Sequence, residues 1–195
     1  MGDLARACLD GGARWLQVRG KRAPGGRLLE IADEVVSLAA AAGALVVIND
    51  RPDIARLAGA GGVHVGQTDL PVGACRALLG PDAVIGLSTH SHQEVDAALV
   101  EDITYVATGP VFSTGTKVDG GAPVGLEMVR WVRSRALAAA ARPADVVPVV
   151  AIGGITLERA PSVLAAGAAS VAVISDLFTG GDPAARTDAF VRTLR

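Results

Sequence analysis

ALVVINDRPDIARLAGAGGVHVGQTDLP, residues 44–71, holds two short apolar runs, ALVVIN (44–49) and GVHVG (62–66), each closed by polar residues and followed by a segment of helical character. Runs this short and this apolar read as strands buried on both faces, and strand, helix, strand is the repeating unit of a parallel sheet. The same alternation extends in both directions. RWLQVR (14–19) lies upstream, and AVIGLS (83–88), ITYVATG (103–109), VPVVAIG (147–153) and SVAVIS (170–175) lie downstream. Segments 28–42 and 125–141 carry the clearest helical period, and a helix over 183–194 closes the chain.

Two architectures bury such strands, and they place chemistry differently. An open doubly wound sheet concentrates it at one switch point, whereas a closed barrel gathers it from the C-terminal ends of many strands. Polar residues stand at nearly every strand exit here: Gln17 and Arg19, Asn49 and Asp50, Gln67 and Asp69, Ser88 and His90, and Ser175. The Thr114-Gly115-Thr116-Lys117 segment and Gly153-Gly154 complete the set. This distribution favours an α/β fold of the (β/α)8 TIM-barrel type.

Length and composition agree. The 195 residues suffice for one well-buried domain, and no linker divides them, so a single domain over 1–195 is expected. Half of the residues are apolar but only 3% are aromatic, so the core must be aliphatic, with 24 glycines allowing close backbone approach. A net charge of −2 argues against nucleic acid or an anionic membrane as the main partner. The longest near-continuous apolar stretch, 35–48, falls short of the roughly 18 residues of a membrane span, and the start MGDLARAC has no apolar export segment. A cytoplasmic protein is expected, with Cys8 and Cys75 as buried reduced thiols; a homo-oligomer is compatible with all of this.

Residues two apart in a strand face the same way, so Gln17 and Arg19 point together and Lys21 continues the row. Asp50 before Arg51-Pro52 and Asp69 before Leu70-Pro71 each read, in isolation, as a helix cap. Together, two aspartates at neighbouring strand exits suit Mg²⁺, which takes one or two carboxylates and completes its shell with water and substrate phosphates. Thr114 to Lys117 combines hydroxyls, bare backbone and a cation, a phosphate-binding chemistry. Gly153-Gly154 ends a strand and Thr156 reads as the cap of the next helix, leaving amides for a second anion. His64, within a strand, reads as a hydrogen-bonded core residue, and His90 as a residue that can line the site; Trp15 and Trp131 read as packing residues.

The segments QVRGK (17–21), IND (48–50), GVHVGQTD (62–69), IGLSTH (85–90), GPVFSTGTK (109–117), VVAIGGI (149–155) and VAVIS (171–175) resemble, in order and spacing, those of the thiamine phosphate synthases. The resemblance implies an Mg²⁺-dependent transferase that joins 4-amino-5-hydroxymethyl-2-methylpyrimidine diphosphate to a thiazole phosphate and releases pyrophosphate. By it, Gln17, Arg19, Lys21, Asn49, Ser88 and Lys117 would hold the pyrimidine diphosphate, and Asp50 and Asp69 the Mg²⁺. Thr114, Gly115, Thr116, Gly154, Ile174 and Ser175 would receive the thiazole phosphate. No protein nucleophile or general base is assigned. Family members have a strand before the first helix, whereas this chain starts within that helix at LARACLDGG (4–12), so a barrel lacking its first strand is expected, with unpaired edges on its outer strands. A thiazole tautomerase-like paralogue and a non-catalytic barrel that binds phosphate ligands are the alternatives. Against the first stand Asp50, Asp69 and the Thr-x-Thr-Lys arrangement.

Overall fold

The computed structural model describes residues 1–115 and 122–194. Among these, seven strands form one parallel sheet: β1 (Trp15–Val18), β2 (Leu45–Asn49), β3 (Gly62–Val65), β4 (Val84–Thr89), β5 (Tyr105–Thr108), β6 (Val149–Ile152) and β7 (Ser170–Ala172). The spatial order of the strands equals their chain order throughout, so the sheet has no switch point, and the doubly wound alternative is excluded. Eight helices alternate with the strands: α1 (Gly2–Asp10), α2 (Gly25–Ala41), α3 (Pro52–Leu57), α4 (Val72–Leu79), α5 (His92–Ala98), α6 (Gly125–Ala139), α7 (Ala160–Ala165) and α8 (Pro183–Thr193). Helix α1 packs against both α2 and α8 and so joins the two ends of the helical layer. No pairing of β1 with β7 occurs among the described residues, which leaves each with one open edge in a curled, TIM-barrel-like sheet.

Strand alternation divides the side chains into two populations. Val46, Ile48, Val63, Val65, Ile85 and Val106 point outward into aliphatic clusters beneath the helices, and none of them is more than 3% exposed. The residues between them, among them Gln17, His64, Ser88 and Tyr105, point inward. The core is aliphatic, as the composition requires, and Cys8 and Cys75 are buried free thiols.

Two elements depart from their sequence expectation. The last strand ends at Ala172, because Ser175–Phe178 turn into a 3-10 helix. Thr156 does not cap a helix: α7 starts only at Ala160, and the Thr156 carbonyl accepts turn bonds from the amides of Arg159 and Ala160. The cause is Asp176, a buried carboxylate whose Oδ2 accepts from the Leu157 amide at 3.1 Å and from Arg186 Nη2 at 2.7 Å, pinning the segment after β6 in a turn.

Gly62 opens β3 opposite Val84, and a Cβ on it would lie 1.9 Å from the Val84 carbonyl oxygen. Gly62→Ala therefore strains the β3–β4 pair by about 1–3 kcal/mol, read as a fall in melting temperature of roughly 2–4 °C per kcal/mol. Gly26→Ala, in helix α2 with open space around the added methyl, gives no such loss.

Candidate active site

The C-terminal tips of the strands surround a cleft of about 390 Å³. Strand β1 and its exit supply Gln17, Arg19 and Lys21, and β2 supplies Asn49 and Asp50. Asp69 and Ser88 follow from β3 and β4, Thr114 from the loop after β5, Gly154 from β6, and Ile174 and Ser175 from the segment after β7. Residues dispersed from position 17 to position 175 thus meet at one place. Gly115 is exposed and does not line the cleft. Thr116 and Lys117 lie outside the described residues.

The acidic pair is the electrostatic centre. Neither aspartate caps a helix: α3 starts after Arg51 and α4 after Pro71, without a side-chain cap in either case. Instead Asp50 adopts a left-handed backbone (φ 63°), the one non-glycine residue to do so among those described, and its amide donates to the His64 carbonyl at 2.8 Å. This conformation is tolerated by aspartate and asparagine far better than by most side chains. The Asp69 carboxylate is fixed by its own turn, with Oδ2 accepting from the Gly66 amide at 2.7 Å. Burial pushes the Asp50 carboxyl above the usual carboxylate range, a hydrogen bond and like charge from Asp69 push it further, and Lys21 and Arg19 pull it back. Lys21 Nζ stands 4.0 Å from Asp50 Oδ2. Two carboxylates are thus forced together in the cleft with cations beside them.

A polar chain crosses the inward face of β3, β4 and β5. Tyr105 Oη lies 2.7 Å from His64 Nδ1, and His64 Nε2 lies 2.7 Å from Ser88 Oγ. Tyr105 occupies the interior because its cross-strand partner is Gly86: a Cβ there would fall 2.0 Å from the phenol ring. Trp15 meets the same ring edge-on, with centroids 5.1 Å apart. Burial raises the Tyr105 pKa beyond its ordinary value, so the phenol stays protonated. Its residue type gave little signal inside the apolar run ITYVATG; only the register with Gly86 reveals it. His64 is a hydrogen-bonded buried residue, as expected, and also reaches the cleft. His90 lines the rim, its Nδ1 against the Gly109 carbonyl and its amide donating to Glu94 Oε2 at 2.6 Å. Trp131 packs on the core and stacks on His92.

On the far side, the loop after β5 lies directly on the exit of β6. The amides of Val111 and Phe112 donate to the carbonyls of Ile152 and Gly153 at 2.9 and 3.0 Å. Gly153 and Gly154 both have positive φ, 97° and 64°, and a Cβ on Gly154 would meet the Ser113 carbonyl oxygen at 2.5 Å. Only glycine allows the loop carrying Thr114 to approach so closely.

A family model described as thiamine monophosphate synthase matches residues 2–177. The chain belongs to the thiamine monophosphate synthase family. Within that family it is 41% identical over 183 residues to the thiamine-phosphate synthase of Moorella thermoacetica, covering 94% of this chain and 83% of that protein. Against the thiamine-phosphate synthase of Anaeromyxobacter dehalogenans the figures are 47% over 181 residues, with 93% and 77% coverage. A thiamine biosynthesis bifunctional protein ThiM/ThiE of Symbiobacterium thermophilum is 45% identical over 193 residues, and the chain spans 38% of its length. The structure of thiamine phosphate pyrophosphorylase from Pyrococcus furiosus superimposes with a TM-score of 0.86 at 31% identity, covering 99% of this chain and 88% of that one. N-(5'-phosphoribosyl)anthranilate isomerase from the same organism shares the fold, with a TM-score of 0.68 at 15% identity.

Proposed function

We infer that the chain acts, as a single domain over residues 1–195, in thiamine biosynthesis, joining 4-amino-5-hydroxymethyl-2-methylpyrimidine diphosphate to a thiazole phosphate to give thiamine phosphate and pyrophosphate. The observation that carries this reading is the convergence of Asp50 and Asp69, flanked by Lys21 and Arg19, on the cleft that also receives Gln17, Ser88 and Thr114 in a member of this family. A cytoplasmic setting is supported by the two buried free thiols.

In this reading Asp50 and Asp69 hold Mg²⁺. Their mutual repulsion is relieved by a cation, and Mg²⁺ commonly takes one or two carboxylates and completes its shell with water and substrate phosphates. Bound there, Mg²⁺ neutralises negative charge on the diphosphate. Arg19 and Lys21 add positive charge on the same side, and Lys117 would join them. Gln17, Asn49 and Ser88 orient the pyrimidine, while Thr114, Gly154, Ile174 and Ser175 receive the thiazole phosphate, with Thr116 beside them in the loop sequence and Gly115 outside the cleft lining.

The reaction needs no protein nucleophile. The bond from the pyrimidine methylene carbon to oxygen breaks, its electron pair leaves on pyrophosphate, and the electron-rich aminopyrimidine carries the developing positive charge. The lone pair of the thiazole nitrogen forms the new C–N bond, and that nitrogen has no proton to lose. The protein's part is to hold the two heterocycles in line and to stabilise the leaving charge. The test is pyrophosphate release on mixing both substrates with Mg²⁺. One equivalent per thiamine phosphate formed is expected. Affinity for the phosphates without release would identify a binding barrel or a tautomerase-like paralogue instead.

A further inference from the structure

Among the described residues three carboxylates line the cleft: Asp50, Asp69 and Glu94. The two aspartates face each other, with the cations of the β1 exit beside them. Glu94 stands apart from them, partly buried in the first turn of α5 beyond the exit of β4, and no lysine or arginine among the described residues pairs with it. Its place is fixed by backbone. The Glu94 amide donates to Ser91 Oγ at 3.2 Å, and Glu94 Oε2 accepts from the His90 amide at 2.6 Å. The His90 ring in turn donates from Nδ1 to the Gly109 carbonyl, which ties this turn to the start of the loop carrying Thr114.

Reciprocal bonds of this kind serve a helix start, and glutamine makes them as well as glutamate does. The cap therefore accounts for one oxygen of Glu94 and not for its charge. An unpaired carboxylate in a cleft that receives two phosphorylated substrates repels both, and this cost is offset only where a positive charge arises beside it. The reaction produces one. Both heterocycles enter neutral. As the carbon–oxygen bond breaks, its electron pair leaves on pyrophosphate and positive charge develops on the pyrimidine methylene carbon. The lone pair of the thiazole nitrogen then forms the carbon–nitrogen bond, and that nitrogen becomes quaternary and permanently positive. In the strand order Glu94 falls between Ser88, which is proposed to orient the pyrimidine, and the loop that carries Thr114, proposed to receive the thiazole phosphate. The two rings meet between those supports.

We propose that the Glu94 carboxylate stabilises the positive charge that passes from the pyrimidine methylene carbon to the thiazole nitrogen, so that the cleft holds a cationic ring more tightly than a neutral ring of the same shape. The inference rests on the function proposed above and adds to it a residue for the charge that stays behind when pyrophosphate leaves. Glu94→Gln isolates the charge, because the amide oxygen still accepts from the His90 amide and the backbone bond to Ser91 is untouched.

The experiment measures, in the parent and in Glu94→Gln, the affinity for thiamine phosphate and for its neutral isostere, in which a thiophene ring replaces the thiazolium. The parent is expected to prefer the cationic ligand, and the preference to fall about tenfold in the variant, more than an exposed ion pair gives and less than a fully buried one. The single-turnover rate of thiamine phosphate formation falls with it, while the affinity for the neutral thiazole phosphate and the melting temperature stay within twofold and about 2 °C of the parent. An unchanged preference overturns the proposal. So does an equal loss on both ligands with a lower melting temperature, which is what a role confined to the helix start gives. A parent that forms no thiamine phosphate from the two substrates overturns the function on which the inference rests, and the inference with it. A parent that forms it, beside a variant with the parental preference, sinks the inference alone.

Discussion

Asp50→Asn loses metal-dependent turnover and, in the absence of metal, melts at a higher temperature than the parent at neutral pH. The loss follows from removing one of the two carboxylates proposed to hold the metal. Electrostatic stabilisation of a leaving group by a metal is worth several kcal/mol, so a fall of roughly 10²–10³-fold in kcat/KM is expected. The gain in stability comes from the same charge. Burial and Asp69 raise the Asp50 pKa in the folded protein, so between the ordinary carboxylate range and that raised value the native state holds a proton that the unfolded chain has already lost. Stability therefore falls as pH rises through that window, and the full cost of the ionised pair is present above it. Asparagine carries no charge and accepts the left-handed backbone at position 50, so it removes the cost without strain. The difference in melting temperature, measured with a chelator present, should be largest near neutral pH and shrink as pH drops through the carboxylate range. Parental rates with an unchanged Mg²⁺ dependence would refute the metal assignment; a stability difference that does not vary with pH would refute the electrostatic one.

That pair also marks the boundary of what the sequence makes legible. The strands are readable because apolar runs of four to six residues bounded by polar exits are what a sheet buried on both faces requires, and each of the seven appears where expected. Their ends are less readable, since the segment after Ala172 and the helix after β6 are decided by Asp176 and Arg186, whose ion pair joins positions that no local pattern links. Helix capping, the local reading of Asp50 and Asp69, fails for a related reason: it considers each aspartate with its own following helix and not with the aspartate one strand away. The inward row was only half visible. Period-two alternation placed Gln17 beside Arg19, but the partners of His64 stand 24 and 41 residues away in sequence, and only the register of β3, β4 and β5 brings them within hydrogen-bond distance. A glycine within the strand run AVIGLS was a usable signal, because such a position often admits an aromatic ring from the neighbouring strand.

Gly154→Ala separates the two substrates. At φ 64° an alanine is strained, and its Cβ would lie 2.5 Å from the Ser113 carbonyl oxygen and 2.8 Å from that of Phe112. Both neighbours are backbone, so no rotamer change relieves the clash, and the loop of residues 112–114 must lift from the exit of β6. Over-packing against backbone at a left-handed position costs about 1–3 kcal/mol, measurable as a lower melting temperature. The functional effect is larger and selective. Lifting the loop displaces Thr114 from the place where the thiazole phosphate is proposed to sit, while Gln17, Asn49, Asp50 and Ser88 on β1, β2 and β4 keep their supports. The KM for the thiazole phosphate should rise at least about tenfold, the loss of one charge-assisted contact, with affinity for the pyrimidine diphosphate nearly unchanged. Gly115→Ala provides the contrast, because the added methyl meets no described atom within 4 Å and the backbone amide survives. If Gly154→Ala instead weakened the pyrimidine diphosphate, the two phosphates would have to exchange places in the cleft, and with them the roles of the β6 exit and the acidic pair.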